Sequence, residues 1–234
     1  MGSYMQSALS KLSFFSDFFL FAENQSMIKY FIPVTMILAL LFASCASQSK
    51  ARHEKPEQPV YIMGKGAVSA EDMSVFLVRN NPQINSSYAR TLAKLYNEEA
   101  AYEGVNHDIA FAQMCLETGF LKFGGLVQPE WNNFCGLGAI GPEQPGLVFP
   151  DPRTGVRAHI QHLKAYATNE PLKGALVDPR YKYVRLGSSP GIEGLAGTWA
   201  VDKQYSEKIS DILQRFYDFA FLERNQRKNL RQVA

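Results

Sequence analysis

Apolar residues recur at helical spacing through most of the chain after residue 84. Tyr88, Leu92, Leu95 and Tyr96 share one face at i, i+4, i+7 and i+8, behind Ser86 or Ser87 as a cap and ahead of Gly104 as a stop. Asn106 or Asp108 caps the next helix. From Ile109 its first half is nearly all apolar, with Gln113 the one amide, and it presents a single carboxylate, Glu117, just before Gly119. Thr154 caps a third helix with Val156, Ile160, Leu163 and Ala167 inward. Pro171 and Pro179 bracket a loop, residues 192–199 suggest a short helix, and Tyr205 to Phe221 form a last helix with Ile209, Ile212, Leu213 and Phe216 inward. Residues 124–152 are rich in Gly and Pro and lack a helical period, so they form an irregular lobe whose best short strand is residues 147–149. The pattern predicts an α+β domain, mostly helical, with a small irregular β-lobe.

The ends of the chain follow other rules. Residues 27–44 have the parts of a secretory signal: Lys29 as a basic start, an apolar core from Phe31 to Phe42, and the small residues Ala43 and Ser44. Cys45 directly after them makes this a lipoprotein signal, with the lipid expected on the Cys45 thiol. Phe42 departs from the usual leucine of such boxes. The apolar core is about a dozen residues, short of the ~20 that span a bilayer, which argues against an uncleaved anchor. Residues 1–26 precede Met27 and read as an upstream extension. Residues 45–83 are polar and Pro-rich and read as a tether, with residues 61–63 a short ordered piece. The basic segment 223–234 reads as a solvated helix end or tail.

Composition adds bounds. The chain has 234 residues, 46% of them hydrophobic, and a net charge of +2. With the ends removed it holds one domain, residues 84–222. The near-neutral balance gives no reason to expect a nucleic-acid partner. Cys115 and Cys135 either form a disulfide or remain as two buried thiols. His159 and His162, at i, i+3, could hold zinc, but no third ligand stands at matching spacing, so they read as helix-surface histidines and no metal or other cofactor is expected.

Glu117 carries the chemistry. A carboxyl at the end of so apolar a helix is partly desolvated, which raises its pKa and suits a general acid near neutral pH. Around it, Ala112-Gln113-x-x-Leu116-Glu117-Thr118-Gly119-Phe120 and then Asn132-Asn133-Phe134-Cys135-Gly136-Leu137 resemble the signature of the glucosaminidase family, the bacterial endo-β-N-acetylglucosaminidases of autolysin and flagellar-hydrolase type. A third block, Thr198-Trp199-Ala200-Val201-Asp202-Lys203-Gln204-Tyr205-Ser206-Glu207-Lys208-Ile209, agrees, and residues 155–167 are similar to a helix of one branch of that family. The resemblance covers about residues 84–222.

The resemblance implies a lysozyme-like domain and a glycosidase that cuts β-1,4 bonds of peptidoglycan on the reducing side of N-acetylglucosamine. Glu117 is then the acid and Tyr205 a catalytic groove residue that binds the N-acetyl group or positions water. The candidate substrate contacts are Gln113, Trp131, Asn133, Phe134 and Trp199; core packing is an equal reading for Phe134, and Asn132 and Asn133 also suit a turn. Glu130, Glu143, Asp151 and Asp202 are candidates for a second carboxylate, and assistance by the sugar's 2-acetamido group is the alternative to one. The expected partners are glycan strands of peptidoglycan and, through Cys45, the membrane, with the protein a monomer on the periplasmic face of the outer membrane. Two rival classes share these features. One is a lytic transglycosylase, although its Glu-Ser start and Gly-Leu-Met-Gln segment are missing. The other is a non-catalytic wall-binding lipoprotein.

Overall fold

The computed structural model describes residues 55–233. The signal segment, Cys45 and the start of the tether lie outside the described residues. Five helices make the domain: α1 (Ala70–Asn80), α2 (Ser86–Glu103), α3 (His107–Glu117), α4 (Pro152–Ala167) and α5 (Tyr205–Val233). Single 3-10 turns lie at Pro129–Trp131, Tyr181–Tyr183 and Ile192–Leu195. The mostly helical class expected from the periodicity holds. Among the described residues β-structure is limited to isolated bridges, such as Tyr61 with Gly191 and Met63 with Val105, and the expected strand at 147–149 does not form. No described helix is long and apolar enough to cross a membrane.

Helix α3 is the axis of the core. Ile109, Ala110, Phe111, Ala112, Met114 and Cys115 are fully buried, as an apolar helix with no polar face must be. Its neighbours α2, α4 and α5 turn their predicted faces toward it: Leu92 and Tyr96, Ile160 and Leu163, Leu213 and Phe216 are all buried. The caps lie slightly earlier than expected. Asn85 accepts from Ser87 N (2.8 Å) and Tyr88 N (3.1 Å) at the start of α2, and Asp151 accepts from Thr154 N (2.9 Å) at the start of α4. Pro152 at the first turn of α4 fits this arrangement, because that position needs no donor. At the other end, α5 continues to Val233, so the basic segment is a helix end, held in part by Arg227 bonding Asp72 (2.5 Å).

The tether reading fails from residue 55 onward. Gln58 donates to Ser210 O (3.0 Å), Ile62 is fully buried, and α1 places Met73, Phe76 and Leu77 in the core. Asp108, wholly buried, accepts from Ala67 N (2.6 Å), Val68 N (3.3 Å) and Tyr217 OH (2.6 Å), which binds this segment to α3 and α5. The physical reason is local. Ser69 caps α1 through Asp72 N (3.1 Å), and Met73, Phe76 and Leu77 repeat at i, i+3, i+4. The polar composition around them hid a short amphipathic helix.

A buried ion pair ties the far end of α4. Lys164 Nζ donates to Glu103 (2.9 Å) and to Pro171 O (2.9 Å), while Glu103 also accepts from the backbone of Lys173 and Gly174 (3.0 Å each). At the near end, the lobe rests directly on α4: a Cβ at Gly155 would lie 1.8 Å from Asn132 O, so only glycine allows this approach.

Candidate active site

Glu117 is the last residue of α3, and its two oxygens see different surroundings. Oε1 accepts the indole N–H of Trp199 (3.0 Å) and the hydroxyl of Tyr205. Oε2 faces the lobe at Gly136. The residue is exposed to the groove by accessible surface, yet protein crowds the carboxyl on its other sides. That crowding raises its pKa by desolvation, against the lowering effect of the Tyr205 and Trp199 hydrogen bonds. Solvent on the groove side screens this effect in part.

Behind Glu117 a polar chain crosses the core. Gln113 Nε2 donates to Tyr205 OH (2.9 Å), and Gln113 Oε1 meets His159 Nε2 (3.0 Å). His159 Nδ1 meets Tyr96 OH (2.9 Å). Burial, and then the neighbouring His162, lower the pKa of His159 to about 3, so the ring is neutral. Burial and the charge of Glu117 push the Tyr205 hydroxyl well up, so it keeps its proton and can donate it.

The chain after Glu117 reverses through a left-handed run. Phe120 and Leu121 have φ of 59° and Phe123 has φ of 54°, conformations that cost non-glycine residues of order 1–3 kcal/mol each. Hydrogen bonds hold the run. Thr118 Oγ1 donates to Met114 O (2.7 Å) and accepts from Leu121 N (2.9 Å), and Asn81 donates to Phe120 O (2.9 Å). The result sets Phe123 into the wall of an open groove of about 230 Å³, lined also by Glu117, Leu126, Val127, Asn133, Gly136 and Ala139.

The lobe opposite is held by asparagine side chains in place of a β-ladder. Asn133 Nδ2 donates to Leu137 O (2.9 Å) and Leu147 O (3.0 Å), and its Oδ1 accepts from Leu137 N (2.9 Å). Asn132 donates to Phe149 O (3.0 Å). These bonds take the carbonyls of Leu147 and Phe149, and the amides of the two residues go to Leu137 O and Trp131 O (2.9 Å each), so no regular ladder forms at 147–149.

The structure therefore brings Glu117, Tyr205, Trp199 and Gln113 together and corrects several expected roles. Gln113 is fully buried between Tyr205 and His159, outside the groove lining, so it supports the site from behind Tyr205. Asn133 borders the groove, but its side chain is buried and bonded to Leu137 and Leu147 within the lobe. Phe134 is fully buried, 6.5 Å from the Tyr96 ring, and belongs to the core. Trp199 packs on His162 (5.0 Å) and Tyr166 (5.5 Å) and serves Glu117 through its indole N–H. Tyr205 has its hydroxyl proton committed to Glu117 and one lone pair to Gln113, so it meets the site chiefly through the carboxyl. Trp131 is half-buried in the lobe, with its carbonyl taken by Phe149 N (2.9 Å), and it is not part of the groove lining.

Of the candidate second carboxylates, Asp151 is a helix cap, and Asp202 accepts from Lys208 (2.6 Å) and Gln204 N (2.9 Å). Glu130 and Glu143 are exposed in the lobe, and among the described residues Glu117 is the one carboxylate in the groove lining. His159 is not a surface residue but fully buried, and His162 bonds Asp178 (2.7 Å). Cys115 and Cys135 are free buried thiols, both pushed up by desolvation. Sequence reasoning missed Tyr96 and His159, although each lies on a predicted inward face or one residue from one. It also missed Phe123, whose place depends on a backbone reversal that no periodicity signals.

Comparison with known proteins agrees with the motifs. The sequence model of the glucosaminidase family, described as mannosyl-glycoprotein endo-β-N-acetylglucosaminidase, matches residues 93–218. A protein of Borreliella burgdorferi described as uncharacterized is 38% identical over 198 residues, covering 82% of this chain and 97% of that protein. Among solved structures, S. aureus autolysin E in complex with the muropeptide NAM-L-Ala-D-iGlu has a TM-score of 0.45 at 15% identity, covering 72% of this chain and 75% of that one. A catalytic mutant of the same autolysin with the disaccharide NAG-NAM has a TM-score of 0.44 at 13% identity, covering 72% and 76%. These structural likenesses are distant, and the family match over more than half of the sequence decides the matter: the chain belongs to the glucosaminidase family.

Proposed function

We propose that this protein is a peptidoglycan glycosidase that hydrolyses β-1,4 bonds on the reducing side of N-acetylglucosamine, with Glu117 as general acid. The observation that carries this reading is the carboxyl of Glu117, held on Oε1 by Trp199 and Tyr205 and open on Oε2 to the groove. Its raised pKa keeps the acid form present at higher pH than an ordinary glutamate allows. In the step we envisage, Oε2 protonates the departing glycosidic oxygen as the bond to the anomeric carbon breaks. Oε1, kept by its two donors, stabilises the carboxylate that remains. The oxygen of the sugar's 2-acetamido group bonds the anomeric carbon as the leaving oxygen departs; water then displaces it, its proton passing to the Glu117 carboxylate, which restores the acid. With one carboxylate in the groove lining, we assign the stabilisation of that carbon to the substrate's own 2-acetamido group.

Peptidoglycan, as against another N-acetylglucosamine polymer, is supported by the lipoprotein signal expected ahead of Cys45, which would place the enzyme beside the wall. A lipid on Cys45 would hold the enzyme, as a monomer, in the cell envelope on the periplasmic face of the outer membrane. Cys45→Ser should then abolish palmitate labelling and detergent-phase partitioning, and unchanged labelling would remove the anchor from the account. The same single-carboxylate groove also suits a lytic transglycosylase, which closes on the muramyl 6-hydroxyl and needs no second carboxylate. Mass spectrometry of digested peptidoglycan decides between them. The proposal predicts reducing N-acetylglucosamine ends; anhydro-muramyl ends would favour the transglycosylase, and an absence of products a binding protein.

A further inference from the structure

The polar chain behind Glu117 has a direction, and Tyr96 sets it. Tyr96 is fully buried on α2, and His159 Nδ1 is the one acceptor that the described residues offer its hydroxyl. A buried hydroxyl left without an acceptor costs about 1–3 kcal/mol, so Tyr96 donates to Nδ1. A neutral imidazole with a lone pair on Nδ1 carries its proton on Nε2. That proton goes to Gln113 Oε1, 3.0 Å away. The Gln113 amide is thereby fixed with Nε2 toward Tyr205, to which it donates at 2.9 Å. Tyr205 cannot return a proton to a donor, so its own hydroxyl points at Glu117 Oε1. Trp199 N–H, which can only donate, takes the same oxygen.

We infer that Tyr96 and His159, acting through Gln113, are positioning residues that fix the direction of the Tyr205 hydrogen bond to Glu117 Oε1 and so make Oε2 the oxygen that carries the acid proton into the groove. Neither residue meets the groove lining. The inference rests on the proposed role of Glu117 but concerns the network beneath it. If the chain ran the other way, Tyr205 would donate to Gln113 and Oε1 would lose one of its two donors. The proton could then sit on Oε1, away from the groove.

The groups facing this network are few. Tyr205 from α5 and Cys135 from the lobe face Glu117; Tyr96 from α2 and His162 on α4 face His159. Tyr205, Cys135 and Tyr96 are all pushed up by burial and remain neutral through the working range. His162 bonds Asp178.

The first test reads the tautomer without activity. In ¹⁵N NMR of the histidine rings of the full-length protein at neutral pH, His159 should show a protonated Nε2 and an unprotonated Nδ1. A protonated Nδ1, alone or with Nε2, would overturn the inference. The second test reads function. His159→Leu breaks the chain, whereas His159→Gln keeps an acceptor for Tyr96 and a donor for Gln113. His159→Leu and Tyr96→Phe should lower kcat on purified peptidoglycan by about ten- to a hundredfold, what a hydrogen bond to a charged group is worth, with KM nearly unchanged. Losing the Tyr205 donor raises the Glu117 pKa further, so the alkaline limb of kcat should move to higher pH in both variants. His159→Gln should recover most of the loss and return the limb toward wild type. An unmoved limb, or His159→Gln as impaired as His159→Leu, would reduce the chain to a packing feature. If His159→Leu does not fold, Tyr96→Phe and the tautomer decide alone. Activity retained by a Glu117→Gln variant would defeat the proposed function and leave the tautomer reading untouched.

Discussion

The two sides of Glu117 are built on different principles. On the helical side, four helices deliver side chains to one buried chain, Tyr96, His159, Gln113 and Tyr205, in which each described bond passes from side chain to side chain. On the lobe side, the groove wall is backbone held by two asparagines, with left-handed residues and glycines in place of regular structure. The first arrangement is rigid because buried polar groups must all be paired. The second leaves space beside Oε2, as Gly136 does, because it presents little but backbone there. A general acid needs both: a fixed carboxylate oxygen and an open one.

That contrast can be broken in order of expected effect. Glu117→Gln keeps an oxygen to accept from Trp199 and Tyr205 but loses the acid proton. Turnover should fall on the order of 10²–10⁴-fold, measured on purified peptidoglycan, while the fold persists. The sign of its stability change follows from the raised pKa. Burial disfavours the charged form, so the stability contribution is fully present at low pH and is lost as pH rises through the folded-state pKa. Relative to wild type, Glu117→Gln should therefore melt higher at alkaline pH than at acid pH.

Lys164→Met tests whether the far end of the helical side is separable from the site. It leaves Glu103 buried without its cation, so denaturant unfolding should show a loss of about 3–5 kcal/mol. The kcat of the folded fraction should stay near wild type. Asn133→Ala strikes the lobe. It leaves Leu137 N–H and Leu147 C=O without their partner, while Leu137 C=O keeps Leu147 N–H, and a loss of about 2–3 kcal/mol is expected from unpaired buried groups. Here activity should fall together with stability, because the groove wall is what loosens. Asp151→Ala should be the mildest. It removes a helix cap worth about 0.5–2 kcal/mol, and full activity in that variant would confirm that Asp151 is no second catalytic carboxylate.

The helical side was largely legible in the sequence. Periodicity identified α2 to α5 and their buried faces, because apolar spacing at i, i+3 and i+4 depends only on which residues face inward. Glu117 stood out as the lone carboxylate at the end of an apolar helix, and Trp199 and Tyr205 through the family motif. What composition obscured was α1. Pro and charged residues around 50–60 suggested a tether, although Ser69 and Asp72 mark a helix start. The lobe was not legible. Asn132 and Asn133 suggested sugar contacts because an exposed amide and a structural amide look alike in sequence; their bonds to residues 137, 147 and 149 are set by tertiary folding alone. Gln113 misled in the same way. His159 was hidden by a different cause: a buried histidine is satisfied by partners 46 and 63 residues away in sequence, a distance that no local pattern reports.

The central claim is that Glu117 enters the reaction as a protonated acid. The most direct measurement is a ¹³C NMR titration of the Glu117 carboxyl, assigned with Glu117→Gln, set beside the pH dependence of kcat. The account predicts that Glu117 titrates above the ordinary glutamate value and that the alkaline limb of kcat falls at the same pH, shifted only as substrate binding shifts it. A Glu117 that titrates in the ordinary range, or an alkaline limb that persists unchanged in Glu117→Gln, would contradict it.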